Sequence, residues 1–597
     1  MKKTALGNVR VTGGFWKEKQ DLNRKVTIGA VYDRFYDTGR VTAFSFNWKA
    51  GEPNKPHIFW DSDIAKWMEG AAYLLGERWD EELSAKVEWL IDRIEEHQEP
   101  DGYFNIYYTV VEPGRRFTNR GYHELYCAGH LIEAAIAYYE ATGRDRFLHL
   151  MEKYADLIYR VFLVEKSAAF RTPGHEELEL ALIRLFRLTG EKKWFELAKY
   201  FLEERGNPPE DNGYAQSHLP IRRQTEAVGH AVRAGYLYTA MAEYAAETGD
   251  EELMATCRAL LRDITERKMY LSGGIGQSYM GEAFTIPYDL PDATAYNETC
   301  ASISMILFAD ALAESDNDAR YADLIEREMY NGMLPGLSLS GDAFFYENPL
   351  EIVLSDRTKH IHLPNNEQER LPITQRKKVF DCSCCPPNLN RMIAGIGRYF
   401  YAKDGETYFV NQFADSVFTE EDRKIEVKTD YPADGGVEIR CENIPRLAVR
   451  MPGWCRRVTA SAAYKKEKGY LIFDRPGVIS LRFSMPPRLV FADARVRSYH
   501  GKCALMRGPI LYALEAIDNG ENLQAIGIGS VKGAKICKDD RFDHPTIRLN
   551  GYRELPGKAL YMSRPPKRKE TELLFIPYAD FANRGESDMT VWVRYEK

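Results

Sequence analysis

From the N-terminus to about residue 400, apolar side chains recur three and four positions apart, the spacing of amphipathic helices. Several stretches share one design: an apolar helix, a Thr-Gly or Gly turn, then a second and more charged helix. Ala135 to Ile158 around Thr142-Gly143, Ala181 to Gly206 around Thr189-Gly190, and Ala240 to Ile264 around Thr248-Gly249 follow it, with weaker copies around Leu75-Gly76 and Glu314-Ser315. A glycine at such a turn can take the left-handed conformation that ends a helix. Repeated helical hairpins predict either an α-solenoid or a closed α/α toroid. Irregular intervals and long polar loops, Pro113 to Tyr122, Asn207 to Gln224 and Ser272 to Asn297, favour the toroid. Loops of that size on a rigid scaffold are where function resides.

Beyond Lys403 the period changes to two. Lys424 to Thr429, Val437 to Arg440, Leu447 to Arg450, Val478 to Phe483 and Pro509 to Leu514 alternate or run β-branched between Gly, Pro and Asp turns. This predicts an all-β tail. The turn-rich stretch Lys532 to His544 and the late strand Val591-Trp592-Val593 favour two small sandwiches over one. The expected organisation is therefore a helical domain over residues 1–402, a β-sandwich over 403–505 and a second over 506–597. Packing, homodimer contacts and carbohydrate contacts are all open to the tail.

Composition narrows the partners. The 597 residues carry a formal net charge of -8, which argues against the clustered basic surface of a nucleic-acid binder. No stretch approaches the roughly 20 apolar residues that span a bilayer. The first residues, Met1 to Arg10, include two lysines but no apolar run of an export signal. A cytoplasmic location is the default expectation, and in that compartment the ten cysteines are free thiols or metal ligands. Cys127, Cys257, Cys441, Cys455, Cys503 and Cys537 stand singly among apolar or strand-like residues and read as small buried hydrophobes.

The other four cysteines lie in two motifs. Cys382-Ser383-Cys384-Cys385-Pro386-Pro387 puts three thiols beside a helix-opening Pro pair, and Asn297-Glu298-Thr299-Cys300 supplies a carboxylate and a further thiol. Glu298, Cys300, Cys384 and Cys385 make a tetrahedral donor set of the kind that holds Zn²⁺ at about 2.0 to 2.3 Å. Asn297 reads as the N-cap of a helix through Ala313, with Glu298 and Cys300 in its first turn, and the second pair precedes the helix that Pro386 opens. Positive helix ends favour thiolates at these positions. Three thiolates and a carboxylate would leave a zinc site with a charge of about -2, so the sulfurs keep nucleophilic character. One reading is a closed structural clip. Four protein ligands leave no position for a catalytic water, so a catalytic reading needs cysteine itself as the reactive group.

These motifs, together with Gly129-His130, Pro173-Gly174-His175-Glu176-Glu177 and Val228-Gly229-His230, resemble glycoside hydrolase family 127, the β-L-arabinofuranosidase family. The resemblance runs in order along nearly the whole chain, and the cysteine motif is its most specific part. It implies an (α/α)6 barrel followed by β-sandwich domains. It also implies zinc bound by Glu298, Cys300, Cys384 and Cys385, with Cys384 as nucleophile and Glu282, in Met280-Gly281-Glu282-Ala283, as acid/base. His130, His175 and His230 match the family's substrate-binding histidines. Tyr346 is a further contact near the nucleophile, and His123, Trp60 and Asp61 are additional cleft candidates. His360 and His362 alternate in a way that admits metal, but a strand or exposed loop explains them adequately. Cys382 stays outside the assigned set.

The implied activity is a retaining, exo-acting β-L-arabinofuranosidase on small oligosaccharides or glycoconjugates. Two alternatives stand beside it: a related glycosidase for another plant-wall sugar such as aceric acid, and a non-catalytic carbohydrate-binding protein with a zinc clip.

Overall fold

A computed structural model describes residues 2–210, 212–357 and 371–596. Its first two thirds are mostly helical, and the remainder is β-rich. The helices are α1 (Gly14–Leu22), α2 (Ile28–Asp37), α3 (Trp60–Glu77), α4 (Glu81–His97), α5 (Glu124–Thr142), α6 (Arg146–Tyr159) and α7 (Leu178–Thr189). They continue as α8 (Lys192–Glu204), α9 (Ala231–Thr248), α10 (Glu251–Asp263), α11 (Thr299–Ala313), α12 (Ala319–Arg327) and α13 (Cys385–Ala394).

The Thr-Gly turns end helices as the pattern predicts. Gly143, Gly190 and Gly249 have φ of 70°, 75° and 69°. The preceding Thr142, Thr189 and Thr248 hydroxyls donate to the carbonyls of Tyr138, Leu185 and Tyr244, closing the last turn. Gly76 differs: it stays inside α3 with an ordinary φ, and a Cβ there would come 3.1 Å from Ala141 Cβ. Its smallness lets α3 approach α5, and α4 begins instead at Asp80, whose side chain caps Leu83 N.

Packing closes the helices into a ring. α3 packs on α5, α5 on α7, α7 on α9, α9 on α11, α11 on α13, and α13 back on α3. α3, α5, α9 and α11 are buried along almost their whole length, while their hairpin partners α4, α6, α10 and α12 bury only one stripe. This is the division between inner and outer helices that burial on one face produces. Among the described residues no helix is long and apolar enough to cross a membrane.

Two six-stranded sheets follow. One runs Lys2–Lys3, Tyr401–Asp404, Thr407–Val410, Arg446–Arg450, Tyr470–Asp474, Lys465–Glu467; the other runs Val458–Ala460, Val478–Phe483, Gly436–Glu442, Arg423–Thr429, Asp415–Glu420, Val9–Gly13. The chain's first strands thus complete β-sheets beside residues some 400 positions later, as in Val9 opposite Phe418. A third, ten-stranded sheet includes Arg488–Val490 and Lys502–Arg507, paired as a hairpin from Arg488 opposite Met506. The strand Lys502–Arg507 of this hairpin runs across residues 505 and 506, where the sequence sets the boundary between the two β units. This sheet also takes up Glu351–Ile352 from the helical region, paired with Met589–Thr590.

Candidate active site

The two cysteine motifs meet where α11 and α13 begin. Glu298 is the residue before α11 and Cys300 lies in its first turn; Cys384 precedes α13 and Cys385 is its first residue, with Pro386 and Pro387 following. Asn297 is not the cap that the sequence predicts. It takes a left-handed φ of 45°, which Asn tolerates; its amide nitrogen donates to Asn348 O at 3.3 Å, and among the described residues its side-chain oxygen accepts no hydrogen bond from the helix end.

The four donor atoms lie within 4.8 Å of one another. Cys300 Sγ is 3.3 Å from Cys385 Sγ and 3.6 Å from Cys384 Sγ, Cys384 and Cys385 sulfurs are 3.8 Å apart, and Glu298 Oε1 is 3.5 Å from Cys384 Sγ and 3.8 Å from Cys385 Sγ. A tetrahedron with about 2.3 Å metal–sulfur bonds has edges of about 3.8 Å, so these spacings fit a thiophilic cation. The electrostatics agree. Burial and neighbouring anions push Glu298 and Cys385 well above their ordinary ranges. Cys300, opposed by burial, is drawn down to about 6 by hydrogen bonds from Cys384 and Cys385. Four clustered anionic donors, three of them buried, cannot ionise together without a cation, and among the described residues Glu298 Oε2 is buried with no hydrogen-bond partner.

Beside this cluster stands Tyr346. Its hydroxyl is 3.4 Å from Cys384 Sγ and also 3.4 Å from Glu282 Oε1. Cys382 Sγ is 3.7 Å from the same hydroxyl, outside the four-donor set. Glu282 sits on a tight turn in which Gly281 (φ 69°) and Glu282 (φ 52°) are both left-handed and Ser278 bridges Ala283. Tyr296 donates to Glu282 Oε1 at 2.6 Å, and His230 Nε2 lies 2.6 Å from Oε2. His230 caps α9 through Nδ1, which accepts from Val232 N at 3.2 Å, so the proton is on Nε2 and points at Glu282. Burial raises the Glu282 carboxyl, but His230, Tyr296 and Arg233 outweigh it and hold it at about 2.

The remaining histidines form a chain into the ring. His175 is 5.6 Å from His230 and 5.5 Å from His123 between ring centroids, and Tyr126 packs at 4.1 Å on His175 and 4.5 Å on His130. His130 lies within α5, not near its end, and its Nδ1 is 3.2 Å from Glu177 Oε1. Burial pushes His123, His130 and His175 well below the usual histidine range, so each is a neutral donor-acceptor suited to hydroxyl groups. Trp60 and Asp61 are engaged elsewhere: Trp60 under the Arg40 guanidinium at 5.3 Å, Asp61 accepting from Ile106 N at 3.0 Å. His360 and His362 lie outside the described residues.

Several groups in this region carry no sequence motif. Tyr296 and Arg233 shape Glu282, and Tyr126 spaces the histidines. Lys66 is buried with its ammonium 5.0 Å over the Tyr126 ring and, among the described residues, no hydrogen-bond partner. Burial opposes its charge, yet Cys384, Cys300 and Asp63 hold its pKa above the usual lysine value. Only the helical period, which puts Lys66 on the apolar and hence inward face of α3, could have pointed to it.

Comparison with known proteins places this geometry. The family model described as the beta-L-arabinofuranosidase GH127 catalytic domain matches residues 8–398, and that of the glycoside hydrolase family 127 C-terminal domain matches residues 487–594. A non-reducing end beta-L-arabinofuranosidase of Bifidobacterium longum subsp. longum is 31% identical, covering 98% of this chain and all of the relative. The crystal structure of a GH127 beta-L-arabinofuranosidase from Geobacillus stearothermophilus T6 superposes with a TM-score of 0.92 at 38% identity, over 98% of this chain and 100% of that one. A second solved GH127 beta-arabinofuranosidase gives a TM-score of 0.90 at 31% identity, over 100% and 98% of the two chains.

Proposed function

The chain belongs to glycoside hydrolase family 127, and from that membership we propose that it is a retaining, exo-acting β-L-arabinofuranosidase. Its substrates in this reading are terminal β-L-arabinofuranosyl residues of small oligosaccharides or glycoconjugates, and its helical ring is an (α/α)6 barrel. The observation that carries the reading is the Tyr346 hydroxyl, 3.4 Å from Cys384 Sγ and 3.4 Å from Glu282 Oε1: a thiol and a carboxyl face one space, bridged by a single hydrogen-bonding group.

The chemistry is a double displacement. Cys384 sulfur attacks the anomeric carbon as the bond to the leaving oxygen breaks, and Glu282 gives that oxygen its proton. In the second half Glu282 takes a proton from water, the water oxygen attacks the same carbon, and the Cys384 thiolate departs. Two inversions give retention, with sulfur in place of the usual nucleophilic carboxylate. Glu298, Cys300, Cys384 and Cys385 would hold Zn²⁺, which when bound would supply the positive charge that keeps the thiols deprotonated.

Glu282 must enter the first step protonated, whereas His230 and Tyr296 hold it ionised in the free protein. Substrate therefore displaces at least one of these hydrogen bonds, and the glycosidic oxygen takes its place at the carboxyl. His130, His175 and His230 then bind the furanose hydroxyls deep in the ring.

The test is Cys384→Ser on an aryl β-L-arabinofuranoside. Turnover disappears with the fold intact, and an arabinofuranose-shaped electrophile labels Cys384 of the unaltered protein by mass spectrometry. Full activity of the folded variant would remove Cys384 as nucleophile.

A further inference from the structure

Around Glu282 the surface changes character. On the inner side His130 and His175 are buried, with the Tyr126 ring 4.5 Å from one and 4.1 Å from the other. On the outer side three large apolar side chains stand open: Tyr214 at 43%, Tyr279 at 50% and Met280 at 60% exposure. Single exposed apolar residues are ordinary on a protein surface, but Tyr214 and Tyr279 pack against His230 and Tyr296, the two groups bonded to Glu282, and Met280 shares the Glu282 turn.

Their placement is held by the backbone. Tyr214 O accepts from His230 N at 3.2 Å, and Phe284 N donates to Gly229 O at 2.9 Å, so the 278–284 turn and the Tyr214 loop clamp the same strand-like segment. The Tyr214 ring lies beneath the Arg233 guanidinium at 4.4 Å and 5.5 Å from the His230 ring. Gly281 is close enough to Tyr214 that a Cβ there would meet its Cδ2 at 3.5 Å. Tyr279 packs edge-on at 5.9 Å against Tyr296, the residue that donates to Glu282. The rings are therefore ordered before any ligand arrives, which lowers the entropy cost of using them.

Resting on the reading above, in which Glu282 protonates the glycosidic oxygen, we propose that Tyr214, Tyr279 and Met280 form a platform for the leaving group. The ligand class is a second glycosyl ring, stacked by its C–H face. The terminal sugar occupies the buried histidine side, so whatever is attached through the glycosidic oxygen emerges on the open side of Glu282, over these side chains. Aromatic and thioether surfaces offer the polarizable contact that C–H faces take.

The experiment compares a β-L-arabinofuranosyl disaccharide with methyl β-L-arabinofuranoside, whose leaving group is too small to reach the platform. Tyr279→Ala and Met280→Ala each lower kcat/KM on the disaccharide by about tenfold, chiefly through KM, and lower it on the methyl glycoside by a distinctly smaller factor. Equal losses on the two substrates, or none on the disaccharide, would overturn the platform. Both residues are solvent-facing, and matched melting temperatures show that the variants fold. A turnover-free reading separates this proposal from the one beneath it: in a Cys384→Ala background, calorimetry of the disaccharide shows about tenfold weaker binding when Tyr279→Ala is added. Unchanged affinity refutes the platform even if the chemistry is right. Absence of hydrolysis by the unaltered enzyme refutes the chemistry, while calorimetry still decides the platform.

Discussion

Replacing Glu282 by Gln isolates proton transfer from everything else that residue does. In the native site Glu282 Oε2 takes the His230 Nε2 proton and Oε1 takes the Tyr296 hydroxyl proton, both at 2.6 Å. A glutamine keeps both contacts: its oxygen accepts from His230 and its NH₂ donates to Tyr296, whose hydroxyl turns from donor to acceptor. Two charge-assisted bonds become neutral ones, a loss of about 1 kcal/mol each, offset by no longer desolvating a carboxylate. Stability should move by no more than about 1 to 2 kcal/mol, so a large kinetic effect is chemical. An alkyl leaving group needs its proton in the first step, and kcat/KM on the disaccharide falls by about 10² to 10⁴. A nitrophenolate leaves without help, so its kcat/KM falls by less than about tenfold, because that constant ends with the first irreversible step. Its kcat still drops strongly, since the second step lacks a base, and the Cys384 thioglycoside accumulates as a burst and a mass increment. The assay is steady-state and pre-steady-state kinetics on both substrates. Equal losses of kcat/KM for the two leaving groups would refute the acid assignment.

The metal reading predicts that a chelator abolishes turnover and lowers the melting temperature together, with both restored by Zn²⁺ and about one zinc per chain by elemental analysis; a metal-free protein with full activity contradicts it. A second outcome concerns Glu328, whose carboxyl is buried beside Ser302 and pushed by burial up to about 8. A raised folded pKa means that its contribution to stability is fully present below the unfolded value of about 4.3 and is lost as pH rises toward 8, by up to about 1.4 kcal/mol per pH unit. Glu328→Gln therefore flattens the decline in urea stability between about pH 5 and 8, and parallel curves for the two proteins would exclude Glu328 as its source.

The legible parts of the chain are those in which one local rule suffices. Thr142-Gly143, Thr189-Gly190 and Thr248-Gly249 end helices because glycine alone takes positive φ without cost, and that can be read without knowing what the helices touch. Cys384-Cys385 and Glu298-x-Cys300 are legible as a pair because few chemistries need that donor set. What could not be read depends on distant partners. Val9–Gly13 has strand character only because Asp415–Glu420 lies beside it. Asn297 has an ideal capping side chain, yet its left-handed backbone and the bond from its amide nitrogen to Asn348 O, fifty-one positions on, set it apart from the helix end. Lys66 and Tyr126 carry no motif, because their placement follows from how α3 and α5 face the ring. Glu282 is one of 88 acidic residues, singled out in the sequence by family likeness alone and in the structure by His230, Tyr296 and Tyr346.

The β-rich C-terminal region bears on the same chemistry through residues 344–352. Successive side chains on an extended segment point to opposite sides. Phe345 faces the C-terminal region, stacked on Phe581 at 5.0 Å and covered by the Arg376 guanidinium at 4.6 Å, while Tyr346 faces the ring with its hydroxyl between Cys384 and Glu282. Just beyond, Tyr578 donates to Asn348 O and Pro349 O, Val591 N donates to Leu350 O, and Glu351–Ile352 joins the ten-stranded sheet. Arg376 completes the tie by donating to Phe581 O and Ala579 O on one side and to Pro335 O on the other. The C-terminal sheet thus holds one end of the segment and α11 the other, where Thr299 N donates to Tyr346 O at 2.9 Å. In the proposed mechanism a hydroxyl 3.4 Å from both Cys384 and Glu282 tolerates little slack, and a segment clamped at both ends supplies that rigidity where a free loop would not. Of the roles left open by the sequence for the β tail, packing is the one these contacts support, and what it packs is the segment that carries Tyr346.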